Sequence, residues 1–219
     1  MHQELSEMIQ KIDGKDIEFK IAYQCAPLIA GLSPANLLMV SGEELYQARM
    51  LLKRAGISYY IVAMTEEKTA LLLFDRQRLE GYLRNEEVER VFRELGYQDL
   101  SLGKLLYVFR RHYEEYLRCA GHFPHEMGLL LGYPVEDVVG YMRNDGKNSL
   151  YTGYWKVYEN LSDKLQLFGM FEKAREYLIQ MLSAGMGIVE IAKSHILQSL
   201  IRYCSLHGHQ PTGHKLREY

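Results

Sequence analysis

The sequence has few cysteines, and their pattern excludes a fold held together by disulfides. Its 219 residues contain three, Cys25, Cys119 and Cys204, which are widely spaced. An odd and scattered set is not the framework of a small secreted domain, whereas free thiols are typical of a reducing compartment. The first residues are polar and acidic and lack the apolar core of a signal peptide. We therefore expect a cytoplasmic protein.

Long apolar runs and an excess of basic charge are missing as well. The short apolar runs at residues 36–40 and 70–74 fall far short of the roughly 20 residues that a membrane-spanning helix requires. The 26 Lys and Arg residues are balanced by 28 Asp and Glu residues. A general affinity for phosphate backbones needs a basic surface, so we predict neither a membrane location nor a nucleic-acid partner.

Strong catalytic and nucleotide-binding motifs are also absent. There is no Walker phosphate loop, no GxGxxG after a strand, no GxSxG elbow and no paired CxxC. Residues 128–143 have the outline of a helix-turn-helix unit. Its second helix carries two acids and no base before Arg143, which disfavours insertion into the major groove of DNA.

The elements that are present are typical of an α+β fold. Ser41 and Glu44 predict a capping box after a short strand, and residues 57–64 and 69–74 predict a β-hairpin. Helical periodicity dominates the rest of the chain. We predict a small N-terminal sheet of about three strands packed on helices, with a larger helical C-terminal part. Residues 1–203 are expected to form one domain, followed by a polar, His-containing and flexible tail at 204–219.

The most distinctive stretch is CAGHFPHEMG, residues 119–128. Pro124 suits the first position of a helix, so the pattern predicts His122 or Phe123 at the helix cap. His125 and Glu126 then lie in the first turn. A structural reason for these polar residues is equally available, because histidines can cap a helix and a glutamate near its N-terminus is favoured by the helix dipole.

The same stretch contains suitable ligand types for a metal ion. His122, outside the helix, can converge with His125 or Glu126 on one point. A thiolate from Cys119 or Cys25 is a further ligand of a type that metal ions bind. The spacing matches no strict zinc pattern. A metal, a redox cofactor and no cofactor at all therefore stay open.

Cys25 is a second candidate. Pro27 follows it closely and predicts a break in the helix at that point. A thiol near a helix terminus can have a lowered pKa and act as a nucleophile or a ligand. The alternative is a buried and inert thiol, since free cysteine is among the most buried residue types.

An aromatic cluster at residues 148–158 contains Tyr154 and Trp155. Such a cluster can form the wall of a pocket for a flat ligand, or it can be a packed joint between helices. Periodicity predicts a helix over 155–182, interrupted near Gly169, which places Trp155 at a helix start.

Three motifs in order resemble a known family. They are CAP at Cys25 with GLSPANL from Gly31, FPHEMGLLLGYPVEDV around His125, and GYWKVY from Gly153. Together they are similar to the DUF3793 family, a bacterial family of unknown function, over roughly residues 19–192. The resemblance implies one domain in a bacterial cytosol and carries no activity, substrate or site residue.

Two functional hypotheses follow. The first is a protein that binds a ligand, metal or redox cofactor in a pocket near Cys25 and His125. The predicted lining residues are Cys25, Cys119, His122, His125, Glu126, Tyr154 and Trp155. The second is a regulatory or protein-interaction domain without catalytic chemistry, in which the helix pair at residues 128–143 and the tyrosines form an interface. Catalytic residues and cofactor identity are left open by the sequence.

Overall fold

A computed structural model of the chain describes residues 16–119 and 123–194. These ranges hold nine helices and five strands. In chain order they are α1 (Ile17–Ile29), β1 (Ala35–Ser41), α2 (Gly42–Ala55), β2 (Ser58–Met64), β3 (Lys68–Phe74), α3 (Arg76–Leu83), α4 (Glu86–Glu94), α5 (Leu102–Cys119), α6 (Glu126–Leu130), α7 (Val135–Arg143), β4 (Tyr151–Thr152), β5 (Lys156–Val157), α8 (Leu161–Ser183) and α9 (Ile188–Lys193). None of the helices in these ranges combines the length and the apolar character that crossing a bilayer demands. The predicted tail at 204–219 lies outside the described residues.

The three long strands form one antiparallel sheet in the order β1-β3-β2. Leu72 in β3 is paired with Leu37 on one side and with Tyr60 on the other. A small sheet near the N-terminus and a larger helical part after it confirm the predicted α+β class.

The central strand β3 is apolar along nearly its whole length because both of its faces are covered. Leu71 and Leu73 face a core formed with α1, α2, α8 and α9. Leu72 and Phe74 face a second core formed with α3 to α7. Successive strand residues point to opposite faces, so a layer of helices on each side selects a continuous apolar run.

Local sequence signals set the boundaries of α2. The side chain of Ser41 accepts from the amide of Glu44, and the Glu44 carboxylate accepts from the amide of Ser41 over 2.7 Å. Gly56 ends the helix in a left-handed conformation with φ 75°, which glycine adopts without steric cost. The predicted capping box is thus confirmed.

The predicted break in α1 is also present. Cys25 has non-helical backbone angles, φ −110° and ψ 16°, two residues before Pro27. Proline lacks an amide hydrogen and its ring clashes with the preceding turn. The kink lets the end of α1 turn toward β1, where the carbonyl of Pro27 accepts from the amides of Leu32 and Ser33.

Two helix predictions near the site were wrong. Helix α6 begins at Glu126 instead of Pro124, with His125 at its N-cap. Trp155 lies in the turn of a short hairpin between β4 and β5, where the amide of Gly153 donates to its carbonyl over 3.0 Å. Helix α8 starts only after Asn160, whose left-handed backbone, φ 51°, interrupts any helix from the hairpin.

The hairpin packs closely on both neighbours because two positions carry no side chain. A Cβ at Gly153 would lie 2.5 Å from the ring of Phe168 on α8, and a Cβ at Gly140 on α7 would lie 2.5 Å from Tyr158. Real Cβ atoms do not approach so closely. The exposed Gly169 leaves α8 unbroken over its 23 residues, so the predicted interruption there is wrong.

Candidate ligand-binding site

A cavity of about 290 Å³ lies between α6, α7 and the β4–β5 hairpin. Its lining is mostly aromatic and aliphatic, with three side chains that can carry charge. The lining residues are Phe123, His125, Met127, Gly128, Leu131, Tyr133, Asp137, Val138, Tyr141, Trp155 and Lys156. An apolar cavity with a few polar groups is the usual composition of a small-molecule site.

Stacked rings form one wall of this cavity. Tyr133 and Trp155 lie nearly parallel, with ring centroids 4.7 Å apart and an interplanar angle of 26°. The edge of the indole of Trp155 also meets Phe168 on α8, with centroids 4.6 Å apart. These contacts hold the indole from two sides. Tyr133 itself is partly buried, and burial raises the pKa of its phenol.

Asp137 fixes the indole in the plane of the wall. The carboxylate is 3% exposed. One of its oxygens accepts from Nε1 of Trp155 over 2.7 Å. The other accepts from the amides of Tyr158, over 2.8 Å, and Glu159, over 3.3 Å. Since both oxygens have donors, this buried charge serves to attach the hairpin to α7.

His125 contributes a polar atom that lacks a partner. Its ring packs against Tyr141, with centroids 5.7 Å apart, and against Phe123, at 6.1 Å. Nδ1 is buried and has no hydrogen-bond partner in the part of the chain that the structure describes. A buried polar atom without a partner costs about 1–3 kcal/mol, so this nitrogen is one that a ligand would satisfy.

Lys156 supplies a cation at the same cavity. Its Nζ donates to the carbonyl of Gly146 over 2.6 Å and lies 5.9 Å from the ring centre of Tyr141. Within residues 16–119 and 123–194, no carboxylate lies at ion-pair distance from this amine. Among the described residues this cation is therefore stabilised by a carbonyl and a π face, and no carboxylate neutralises it.

A second cavity of about 320 Å³ shares Leu131, Tyr133 and Trp155 with the first. The cationic side chain that lines it, Arg175, already has partners. Arg175 donates to the hydroxyl of Tyr154 over 2.8 Å, to the carbonyl of Tyr23 over 3.1 Å and to the carboxylate of Glu172. Because these donors are satisfied, the second cavity is the weaker candidate.

The structure divides the predicted site residues between these places. His125 and Trp155 line the first cavity, and Tyr154 and Trp155 line the second. Gln24 and Pro27, which are close to Cys25 in the sequence, also line the second cavity.

Cys25 itself lines neither cavity. Its side chain is fully buried in the core that α1 forms with the sheet and α8. Burial raises the pKa of this thiol far above its usual range, which is the condition of an inert cysteine rather than of a nucleophile.

Glu126 is engaged in a network that joins α5 and α6. It is 3% exposed. Its Oε1 accepts from the hydroxyl of Tyr97 over 2.8 Å and lies 2.6 Å from Nδ1 of His112. Burial and the negative charge of Glu126 raise the pKa of Tyr97. Tyr97 and His112 were not named from the sequence, because nothing in their spacing marks them as partners of Glu126.

Two predicted candidates remain, Cys119 and His122. Cys119 is exposed at the end of α5, and His122 lies outside the described residues. In the ranges that the structure describes, no three His, Cys, Asp or Glu side chains are grouped closely enough to hold a metal ion.

Several residues of the first cavity were missed by sequence reasoning. Tyr133, Asp137, Tyr141 and Lys156 all line it, yet none stood out in a motif of known chemistry. An available signal was the pair of acids Glu136 and Asp137, which lie in the first turn of α7 shortly after Pro134. Its burial, however, depends on the hairpin that folds back over it.

The described residues define an α+β protein with an aromatic cavity beside a β-hairpin. The chain belongs to the DUF3793 family, described as a protein family of unknown function, and the family match spans residues 21–192. This confirms the resemblance seen in the three sequence motifs. No curated protein and no solved structure matches the chain.

Proposed function

We propose that this protein binds a small planar aromatic ligand in the cavity beside His125 and Trp155. The observation that carries the proposal is the buried Nδ1 of His125, which has no partner among the described residues although its side chain lines an apolar, aromatic cavity. A ligand with a ring and one hydrogen-bonding group would fill the space and satisfy the nitrogen.

The size of the cavity sets the size of the ligand. At about 290 Å³ it has close to twice the volume of an engineered cavity of about 150 Å³ that binds benzene. The expected ligand therefore has one substituted ring or two fused rings. A flat ring is favoured because aromatic rings prefer stacked or edge-on contacts with other rings.

The wall of the cavity is fixed before a ligand arrives. Trp155 is held by the Asp137 carboxylate, by the stack with Tyr133 and by the contact with Phe168. A wall that is already ordered loses little side-chain entropy when the ligand binds. This supports binding by a preformed site.

The proposal includes neither Cys25 nor a bound metal. The support for an interaction domain is weaker, since exposed large apolar side chains are spread over several elements, including Tyr46 and Met50 on α2, Tyr107 on α5 and Leu165 on α8. Scattered exposure of this kind is ordinary for a protein surface. The free thiols of Cys25 and Cys119 support the further proposal that the protein works in a reducing cytoplasm.

The test uses the single tryptophan of the chain. With one Trp among 219 residues, the indole N–H of Trp155 gives one side-chain cross peak in a ¹⁵N spectrum, and no assignment is needed. We expect both 4-methylphenol and 1,4-dimethylbenzene, which have the same shape, to shift this peak. The phenol should bind about three- to tenfold more tightly, because one hydrogen bond is worth about 0.5–1.5 kcal/mol.

Variants assign that preference to His125. In His125→Phe the ring remains and the nitrogen is lost, so the two probes should bind equally. In His125→Asn an amide lies near the position of Nδ1 and should restore part of the preference. Met127→Phe narrows the cavity and leaves Trp155 as the single tryptophan, so it should weaken the binding of both probes. If neither probe moves the Trp155 peak up to its solubility limit in the folded wild-type protein, the proposal is wrong.

A further inference from the structure

The lysine at the cavity has a position that a neutral aromatic ligand does not explain. Lys156 is on β5, directly after Trp155 in the chain, and its side chain lines the cavity. Its amine has a carbonyl acceptor at Gly146 and the ring of Tyr141 beside it. In the described part of the chain no carboxylate pairs with it. An ammonium group at the edge of an apolar cavity is most strongly stabilised by an anion.

The acidic side chain that lines the cavity is not available as the anion that pairs with Lys156. Asp137 lines the same cavity, but its oxygens are occupied by the indole of Trp155 and the amides of Tyr158 and Glu159. No ion pair joins Asp137 to Lys156. Three donors directed at Asp137 also stabilise its charge, which weakens its repulsion of a bound anion.

We propose that the ligand is an aromatic carboxylate whose ring occupies the cavity and whose carboxylate binds Nζ of Lys156. This rests on the proposed function and names the class of ligand. In the bound state His125 contributes the hydrogen bond to a second polar group on the ring, and Tyr133 and Trp155 supply the stacking wall. The lysine has three donors and keeps its bond to Gly146 while it binds the anion.

The hairpin explains why the cation is held at this place. Lys156 pairs with Thr152 across β4 and β5, and the same hairpin carries Trp155. One short element therefore presents both the aromatic wall and the cation. A ligand that joins a ring to a carboxylate contacts both at once, which a neutral hydrocarbon cannot do.

The experiment compares two probes of the same shape that differ in charge, 4-methylbenzoate and 4-methylbenzamide. The Trp155 indole peak again reports binding. We expect the benzoate to bind roughly tenfold more tightly than the amide, as befits a charge-assisted hydrogen bond. The advantage should shrink as salt is raised from about 0.02 M to about 0.5 M, because salt screens a partly exposed pair.

Variants of the lysine separate charge from packing. Lys156→Met keeps the aliphatic length and removes the charge, so the preference for the benzoate should disappear. Lys156→Arg should keep much of it. Lys147→Met is the matched control, since Lys147 is 77% exposed and pairs with Asp145 on the surface, and it should retain the full preference. Circular dichroism and continued binding of 4-methylphenol show that Lys156→Met is folded.

The possible outcomes distinguish this inference from the proposed function. Equal affinity of the wild-type protein for benzoate and benzamide, with 4-methylphenol still bound, overturns the carboxylate inference alone. A benzoate preference that survives Lys156→Met overturns the assignment to Lys156. Failure of every aromatic probe to bind overturns the proposed function itself.

Discussion

The indole nitrogen of Trp155 lies 2.7 Å from a carboxylate oxygen of Asp137, 18 residues earlier in the chain. This hydrogen bond joins the β4–β5 hairpin to α7 and orients the ring that forms the cavity wall. A tryptophan that the sequence places in a predicted helix is thus held as a fixed wall by a buried acid. The conformation of the cavity depends on this pair.

Asp137→Asn should therefore destabilise the protein and loosen the wall. The amide oxygen of asparagine can keep the two backbone donors, but its NH₂ group then faces the N–H of Trp155. One buried donor is left without an acceptor, at a cost of about 1–3 kcal/mol. Urea unfolding measures the loss of stability, and the Trp155 N–H peak should move upfield.

The control for this variant is Glu66→Gln, which removes a carboxylate from the exposed turn between β2 and β3. It should change the free energy of unfolding by less than about 0.5 kcal/mol. Unaltered stability in Asp137→Asn would show that the acid does not hold the hairpin.

Stability should depend on pH through Glu136 on α7 and Lys164 on α8. Nζ of Lys164 lies 2.6 Å from the Glu136 carboxylate, and the lysine side chain is 10% exposed. Burial raises the pKa of Glu136, but the hydrogen bond and charge of Lys164, with a backbone hydrogen bond, outweigh it and hold the pKa below its usual value of 4.5. The folded state thus binds this proton less readily than the unfolded chain.

The sign of the effect follows from that shift. The stabilisation by Glu136 is complete above about pH 4.5 and is lost as the pH falls below it. Glu136→Gln should therefore lower the free energy of unfolding near pH 7 by about 1–3 kcal/mol, and the difference from the wild type should shrink near pH 3. A difference that grows on acidification would contradict this assignment.

The two described thiols should differ sharply in reactivity. Cys25 is fully buried and burial raises its pKa, whereas Cys119 is exposed. Because only a thiolate that reaches solvent reacts readily, iodoacetamide should alkylate Cys119 in the folded protein and leave Cys25 unmodified. Peptide mass spectrometry assigns the sites, and Cys25 should react once urea unfolds the chain. Equal labelling of both in the folded state would show that α1 opens at its kink.

Much of the secondary structure could be predicted because its signals are local. The Ser41 and Glu44 capping box acts within one helical turn, and Pro27 kinks α1 through its own ring and missing amide. Two predictions were wrong where local signals compete: the helix start at residues 124–125 and the helix over residues 155–160. Helical spacing in the Trp155 segment was outweighed by the pairing of Tyr151 with Val157 and by the left-handed backbone of Asn160.

The sequence by itself determined an α+β chain with a short apolar strand at residues 69–74, free thiols and balanced charge. Composition can be counted from the sequence, and the periodicity of a helix or strand is set within a few residues. It also marked His125 and Trp155 as residues of interest. Only the tertiary structure decided that Cys25 belongs to the core and that Lys156 and Asp137 flank the aromatic wall. These placements depend on α7, α8 and the hairpin packing together, through close approaches at Gly140 and Gly153, and contacts between distant segments leave no period in the sequence.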